Sequence, residues 1–208
     1  MTQLVVPANI DKYERIYRQG YDKKYPNLDL VRLEGWYFGK KPGRLLDYGA
    51  GTGVNALHMA ECGYGVIAVD AAKESVALMK SKLKNMAAAQ WVSPDATELP
   101  FENDGFDYIV CMSVLSLLET KERISTLVGE FFRVLKPGGG LKMFEHTGSR
   151  IFPFNLILNL MNPLCRNVGP EVNRDTPANV LAAGFSVGKV TNIFLDVVKT
   201  IEALAPKT

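Results

Sequence analysis

Cysteine is scarce, with only Cys62, Cys111 and Cys165 among 208 residues. An odd count without metal-ligand spacing suggests neither a disulfide framework nor a zinc site, so no metal is expected and a reducing cytoplasm is the expected compartment. Net charge is nearly absent, with 24 Lys and Arg against 22 Asp and Glu. The densest basic runs, Lys80 to Lys84 and Lys40 to Arg44, are short, so no nucleic-acid partner is expected. Long apolar runs are missing as well. The most apolar window, Ile151 to Cys165, is interrupted by Pro153, Asn155, Asn159, Asn162 and Pro163 and falls short of the ~20 residues that cross a bilayer. Met1 to Asp11 carries no charged stretch followed by an apolar run, so no signal peptide is expected.

What is present is ordinary for a globular chain: 47% hydrophobic, 10% aromatic and 22% charged residues. That composition excludes disorder and fibrous structure, and the length favours one domain spanning 1–208. Short apolar runs rich in β-branched residues alternate with helical patterns, the signature of βαβ units and a parallel sheet. Strands are expected at Arg44 to Tyr48, Gly65 to Asp70, Gln90 to Val92, Phe106 to Met112 and Leu141 to Glu145. Helices are expected at Val54 to Cys62, Lys73 to Leu83 and Lys121 to Leu135, the last stopped by a turn at Lys136-Pro137-Gly138-Gly139. Phe154 to Met161 reads as an amphipathic helix with Asn155, Asn159 and Asn162 on one stripe. Thr176-Pro177 reads as an N-cap and first helical residue of another, ended by Gly184. Two last strands follow, Phe185 to Leu195 and Val197 to Ala203. The fold class is therefore α/β, doubly wound and Rossmann-like.

The chemistry-bearing motif is Asp47-Tyr48-Gly49-Ala50-Gly51-Thr52-Gly53, where the first strand turns into the first helix. Glycines there let the backbone approach a ligand, and the helix N-terminus adds unpaired N–H groups. Asp70 closes the second strand, where a carboxylate can accept from both hydroxyls of a ribose. Asp95-Ala96 follows the third strand. The spacing discriminates between cofactors: a dinucleotide fingerprint is Gly-x-Gly-x-x-Gly, whereas the third glycine here comes one residue early and Val54 takes its place. Asp47 before the glycines disfavours a phosphate and suits a cationic ligand. An NAD-dependent oxidoreductase and a non-catalytic cofactor-binding module of the same fold remain the alternatives.

LLDYGAGTG (Leu45 to Gly53), VIAVD (Val66 to Asp70), PDATELPFENDGFDYIVC (Pro94 to Cys111) and LKPGGG (Leu135 to Gly140) together resemble the class I S-adenosylmethionine-dependent methyltransferases. The resemblance spans Pro42 to Glu145, about half the chain, and is nearest the small-molecule branch of ubiquinone and menaquinone biosynthesis. FEHTGS (Phe144 to Ser149) and NRDTPANVLAAGF (Asn173 to Phe185) resemble, more loosely, methyltransferase-like proteins that act on thiols or are lipid-associated. Those relatives place a Gly-Cys step where this chain has Gly169-Pro170-Glu171-Val172.

The resemblance implies a mostly parallel seven-stranded sheet with helices on both faces and S-adenosylmethionine as cofactor. It implies that Asp47 orients the methionyl amino group and that Gly49, Ala50, Gly51 and Gly53 line the methionine and ribose. Asp70 would hold the ribose hydroxyls beside Ala71, and Asp95 and Ala96 would meet the adenine. Ser113 would face the methionine and the acceptor. The N-terminal residues 1–41 are expected as a helical cover, 42–146 as the cofactor core, 147–184 as a lid and helix, and 185–208 as the last strands.

Methyl transfer needs alignment, exclusion of water and, for a protonated acceptor, a base. His146, at the end of the fifth strand, is the expected catalytic base, since an imidazole titrates near neutrality. Tyr13, Tyr17, Tyr21 and Tyr25 recur every four residues. Tyr13 and Tyr17 are expected to pack against the sheet, and Tyr21 to contact the cofactor carboxylate. The large apolar residues between Ile151 and Cys165 exceed one buried stripe, so a small, hydrophobic acceptor is expected, or shallow contact with a membrane surface. Only Arg150 and Arg166 accompany them, so attraction to anionic lipid would be weak. The acceptor atom and the oligomeric state stay open.

Overall fold

The computed structural model describes residues 8–38, 42–93, 96–118, 120–166 and 174–207. The chain divides into two compact units, residues 1–100 and 101–208.

The first unit is built on three parallel strands, β1 (Arg44–Tyr48), β2 (Gly65–Asp70) and β3 (Ala88–Trp91), in the order β3-β2-β1. β1 and β2 carry short runs of Leu, Val, Ile and Ala, and Leu45, Leu46, Val66, Ala68 and Val69 are buried. Such runs suit strands covered on both faces. The crossovers are helical: α3 (Val54–Glu61) joins β1 to β2 and α4 (Lys73–Leu83) joins β2 to β3. The third strand runs Ala88–Trp91 rather than Gln90 to Val92. It lies in register with Ile67 to Asp70 of β2, so it is the pairing with β2, rather than local β-propensity, that fixes its bounds.

Two further helices precede this sheet, α1 (Ala8–Arg18) and α2 (Leu28–Tyr37). Asn27 caps α2, its side chain accepting from the N–H groups of Asp29 and Leu30. α1 packs on α4. The contact has a clear physical basis. α4 starts at Ala72, which offers no side-chain cap, and Glu14 supplies one from far away in sequence. Its carboxylate accepts from the N–H groups of Lys73 at 2.6 Å and Glu74 at 3.0 Å. A carboxylate on those orphan donors also complements the helix dipole. Removing an N-cap acceptor destabilises by about 1 kcal/mol. Glu14→Ala should therefore lower the unfolding free energy by about that amount, seen as a lower urea midpoint with an unchanged m-value, and should free α1 for proteolysis.

The second unit has four strands, β4 (Phe106–Met112), β5 (Leu135–His146), β6 (Ser186–Phe194) and β7 (Val198–Leu204), in the order β4-β5-β7-β6. β4 and β5 are parallel, and the pairs β5–β7 and β7–β6 are antiparallel. α5 (Lys121–Val134) lies between β4 and β5. Thr120 caps it, and Ile124, Leu127, Val128, Phe131 and Val134 are its buried face, spaced as one side of a helix.

Two expectations are corrected here. Lys136-Pro137-Gly138-Gly139 is not a turn separating α5 from a later strand, because β5 begins at Leu135 immediately after the helix. The element forms an irregularity in the ladder instead: pairing passes from Phe106 with Leu135 to Tyr108 with Gly140. Gly138 has φ 82° and its N–H donates to Ala205 O at 2.8 Å. The proline and glycines thus let β5 bulge without leaving the sheet. The second correction concerns α7 (Thr176–Ala182), whose N-cap is Asp175 and not Thr176. The Asp175 carboxylate accepts from Ala178 N–H, and Asp is the equal or better cap.

The helix expected at Phe154 to Met161 is α6 (Phe154–Arg166). None of its described side chains is buried, and Leu156, Ile157, Leu160 and Met161 are exposed, as are Ile151 and Phe152 just before it. No helix among the described residues is long and apolar enough to cross a membrane.

Candidate active site

In the first unit the turn between β1 and α3 builds the site. Asp47 ends the buried part of β1 and is 1% exposed. Tyr48 leads into Gly49 and Ala50, whose N–H groups both donate to Val69 O, at 2.9 and 3.0 Å. Gly51 and Gly53 have φ of 57° and 79°, values that L side chains rarely adopt. Space is short as well. A Cβ on Gly53 would stand 2.9 Å from Met79 Cγ, and one on Gly51 would stand 3.3 Å from the Tyr17 hydroxyl. The turn is therefore pressed from α4 on one side and from α1 on the other.

Asp70 holds the turn in place. One carboxylate oxygen accepts from Gly51 N–H at 2.8 Å, and the other from Ala72 N–H at 2.9 Å. Ser75 Oγ donates to Gly51 O at 2.6 Å, bracing the same glycine from α4. A carboxylate has about four acceptor sites, so Asp70 keeps capacity for a ligand hydroxyl beyond these two N–H groups. Burial raises the Asp70 pKa, while the two N–H groups oppose the shift.

Asp47 is in a different position. Its Oδ2 is buried without a hydrogen-bond partner. Burial, reinforced by the charge of Asp70, pushes its carboxyl up to about 7. An orphaned buried carboxylate oxygen is costly unless a donor arrives, and a cationic group is the best donor. A pyrophosphate would instead meet the charges of both Asp47 and Asp70. The pair thus fits an ammonium and a ribose and disfavours a dinucleotide.

Two residues singled out less strongly in the sequence come to this place. Tyr17 lies over Gly51, and its phenol pKa is raised, first by burial and then by the charge of Asp70. Tyr13 is raised for the same two reasons. Tyr21 is 53% exposed, with its ring 6.2 Å from that of Tyr17. The four-residue spacing marked all three, but only the docking of α1 distinguishes Tyr17. Lys23 N–H donates to Thr52 Oγ1 at 3.2 Å, and Asn27 N–H to Asn55 Oδ1 at 2.8 Å, so the segment after α1 is stitched along the same turn. Ala71 accepts from Trp91 Nε1 at 2.8 Å. Ala96 is exposed and its N–H donates to Ser93 O at 3.1 Å. Asp95 lies outside the described residues.

In the second unit, Ser113 directly follows β4 with φ 61°. Glu145 and His146 close β5 on opposite faces, as neighbours in a strand must. His146 is exposed, whereas Glu145 is fully buried. The Glu145 carboxylate accepts from backbone N–H groups of the turn after β4. Burial pushes its pKa up to about 7, opposed by those N–H groups and by Arg174. Neither Glu145 nor Arg174 was singled out from the sequence as a site residue. The only sequence signal was an acid at the end of an apolar strand; Arg174, in the polar stretch before α7, carried none.

Residues 45–139 match the family described as "Methyltransferase domain". Over this stretch, slightly under half of its length, the chain is similar to the class I S-adenosylmethionine-dependent methyltransferases. Among curated proteins it is similar to the demethylmenaquinone methyltransferase of Clavibacter sepedonicus, 32% identical over 103 residues, covering 49% of this chain and 40% of that protein. It is also similar to the demethylmenaquinone methyltransferase of Beutenbergia cavernae, 32% identical over 153 residues, covering 73% of this chain and 59% of that protein. The chain thus spans between 40% and 59% of the length of these two relatives. Among solved structures it is similar to an S-adenosylmethionine-dependent methyltransferase from Methanosarcina mazei. The TM-score is 0.68 at 20% identity, covering 87% of this chain and all of that one. The methyltransferase family has the expected fold class, Rossmann-like α/β with seven strands and mostly parallel pairing. Its cofactor is S-adenosylmethionine.

Proposed function

We propose that this methyltransferase transfers a methyl group from S-adenosylmethionine to a small, apolar acceptor. The observation that carries the reading is the buried, unpartnered Oδ2 of Asp47 beside a glycine turn held by Asp70. Bound there, the cofactor supplies a methyl group already activated by a positive sulfur. The chain's own residues then bind, orient and exclude water. Asp47 takes the methionyl ammonium, and Gly49, Ala50, Gly51 and Gly53 line the methionine and ribose. Asp70 accepts from the ribose hydroxyls beside Ala71, Asp95 and Ala96 take the adenine, and Ser113 takes the methionine. Tyr21 is assigned to the cofactor carboxylate, and His146 to removing a proton from the acceptor.

The apolar acceptor is supported by the exposed side chains of Ile151, Phe152, Leu156, Leu160 and Met161, which a water-soluble acceptor would not need. The curated relatives are named for demethylmenaquinone, in keeping with this class. A brief contact of the same segment with a lipid surface is a way for such an acceptor to arrive, and the protein is assigned to the cytoplasm.

The test is calorimetry with S-adenosylmethionine and S-adenosylhomocysteine, followed by labelled-methyl transfer to panels of apolar and polar acceptors. Binding of both ligands and transfer confined to the apolar panel are expected. His146→Ala should lower turnover about a hundredfold or more at unchanged cofactor affinity. Absence of binding to either ligand sinks the reading, and transfer to polar acceptors alone sinks the acceptor class.

A further inference from the structure

The turn after β4 is held from two sides by buried charges to which the cofactor roles above give no task. Ser113 enters it in the left-handed region, φ 61°, with its N–H donating to Phe144 O at 2.7 Å. An L residue keeps that conformation only where its surroundings impose it. The next three N–H groups converge on Glu145. Those of Val114 and Leu115 donate to Oε1 at 2.9 and 3.1 Å, and that of Ser116 to Oε2 at 3.3 Å. At the other end, the carbonyl oxygens of Leu115 and Leu118 accept from the two terminal nitrogens of Arg174.

The segment between them, Leu115–Leu117, is a single three-residue 3-10 turn, too short to hold its own shape. A carboxylate at its N–H end and a guanidinium at its carbonyl end match the turn's dipole in both directions. Arg174 is itself fixed: it is 4% exposed, and its carbonyl accepts from Gly148 N–H at 2.8 Å. Asp175, next in the chain, caps α7. Two ions are thus withdrawn from water to define one short loop. Burying ions is unfavourable in itself, and a loop with no required geometry would not call for it.

We propose that Glu145 and Arg174 are positioning residues that together hold Ser113–Leu118 in the shape that receives the amino-acid end of S-adenosylmethionine. This rests on the methyltransferase reading, which gives Ser113 its ligand. The two residues act through the backbone and touch neither cofactor nor acceptor. Glu145 sets the N–H side of the turn and Arg174 the carbonyl side, so loss of either releases the same loop.

The experiment compares two probes by calorimetry. S-adenosylhomocysteine carries the amino-acid part, and 5′-methylthioadenosine shares the adenosine and the sulfur but lacks it. Glu145→Gln, Arg174→Met and Arg174→Lys are made in the full chain and checked for folding by circular dichroism. Glu145→Gln and Arg174→Met should weaken S-adenosylhomocysteine about tenfold or more, the size of a lost charge-assisted hydrogen bond, and 5′-methylthioadenosine by less than about twofold. Arg174→Lys, with one ammonium for two carbonyls, should recover part of the loss. If Glu145→Gln does not fold, the two Arg174 variants decide. Equal losses for both probes, or unchanged S-adenosylhomocysteine affinity in folded variants, overturn the proposal alone. Wild-type protein that binds neither probe overturns the methyltransferase reading and the proposal with it.

Discussion

Asp70→Ala is expected to weaken S-adenosylhomocysteine binding about a hundredfold or more. Two ribose hydroxyls donating to one carboxylate are charge-assisted hydrogen bonds, each contributing roughly 1.5–3 kcal/mol, and every 1.4 kcal/mol is tenfold in affinity. The substitution also strips Gly51 and Ala72 of the acceptors for their N–H groups, at 2.8 and 2.9 Å, so the glycine turn loses its anchor along with its ligand contact. Ser75→Ala separates the two effects. It removes the 2.6 Å brace on Gly51 O but leaves the carboxylate, and should cost no more than about tenfold. Asp70→Asn, which keeps the shape and one acceptor, should fall between. An Asp70→Ala protein that binds S-adenosylhomocysteine as the wild type does would remove the ribose role.

The second large effect is on pH dependence. Burial and the charge of Asp70 push the Asp47 carboxyl up to about 7. Only its ionised form attracts an ammonium, so affinity for S-adenosylhomocysteine should rise about tenfold per unit as the pH climbs from about 5 to about 7, then level off. 5′-Methylthioadenosine, without an ammonium, should show no such rise, and Asp47→Asn should leave only the smaller rise that comes from Glu145, whose carboxyl is also pushed up to about 7. The stability of the ligand-free protein should move the other way. An acid whose pKa is higher folded than unfolded holds its proton more tightly when folded. Its stabilising effect is therefore complete below the unfolded value of 3.8 and is lost as the pH rises toward about 7. Glu145, also pushed up to about 7, adds in the same sense. Melting temperatures of the ligand-free protein should fall by about 5 °C or more over that window. The fall should be smaller in Asp47→Asn. A flat affinity profile in the wild type would show that Asp47 does not meet the ammonium.

Several elements were legible from residue order because their information is local. The runs RLLDY, GVIAVD and FDYIVCM became β1, β2 and β4 at the expected bounds, since period and side-chain type define a buried strand within a few residues. The glycines at 49, 51 and 53 took positive φ, because the turn chemistry is written into the residue type. The misplacements share a cause. β3 was set by its register with β2, and Lys136 to Gly139 became a bulge because the ladder to β4 continued across them. In both cases hydrogen bonds to a distant strand outweighed local propensity.

The cofactor site divides along the same line. The sequence by itself determined the glycine turn and the acids Asp47 and Asp70, which lie next to one another in the chain or at the ends of adjacent strands. It also determined the likeness to the methyltransferase family, because those motifs recur in fixed order. Only the tertiary structure decided that Glu14 caps α4 across 59 residues and that Tyr17 rather than Tyr21 lies on Gly51. It likewise decided that Glu145 and Arg174, 29 residues apart in the sequence, meet on one turn. Glu14, Glu145 and Arg174 are polar groups satisfied by backbone far along the chain. Such pairings leave no periodic trace, because hydrogen bonding constrains where atoms end up and not how far apart they stand in the sequence.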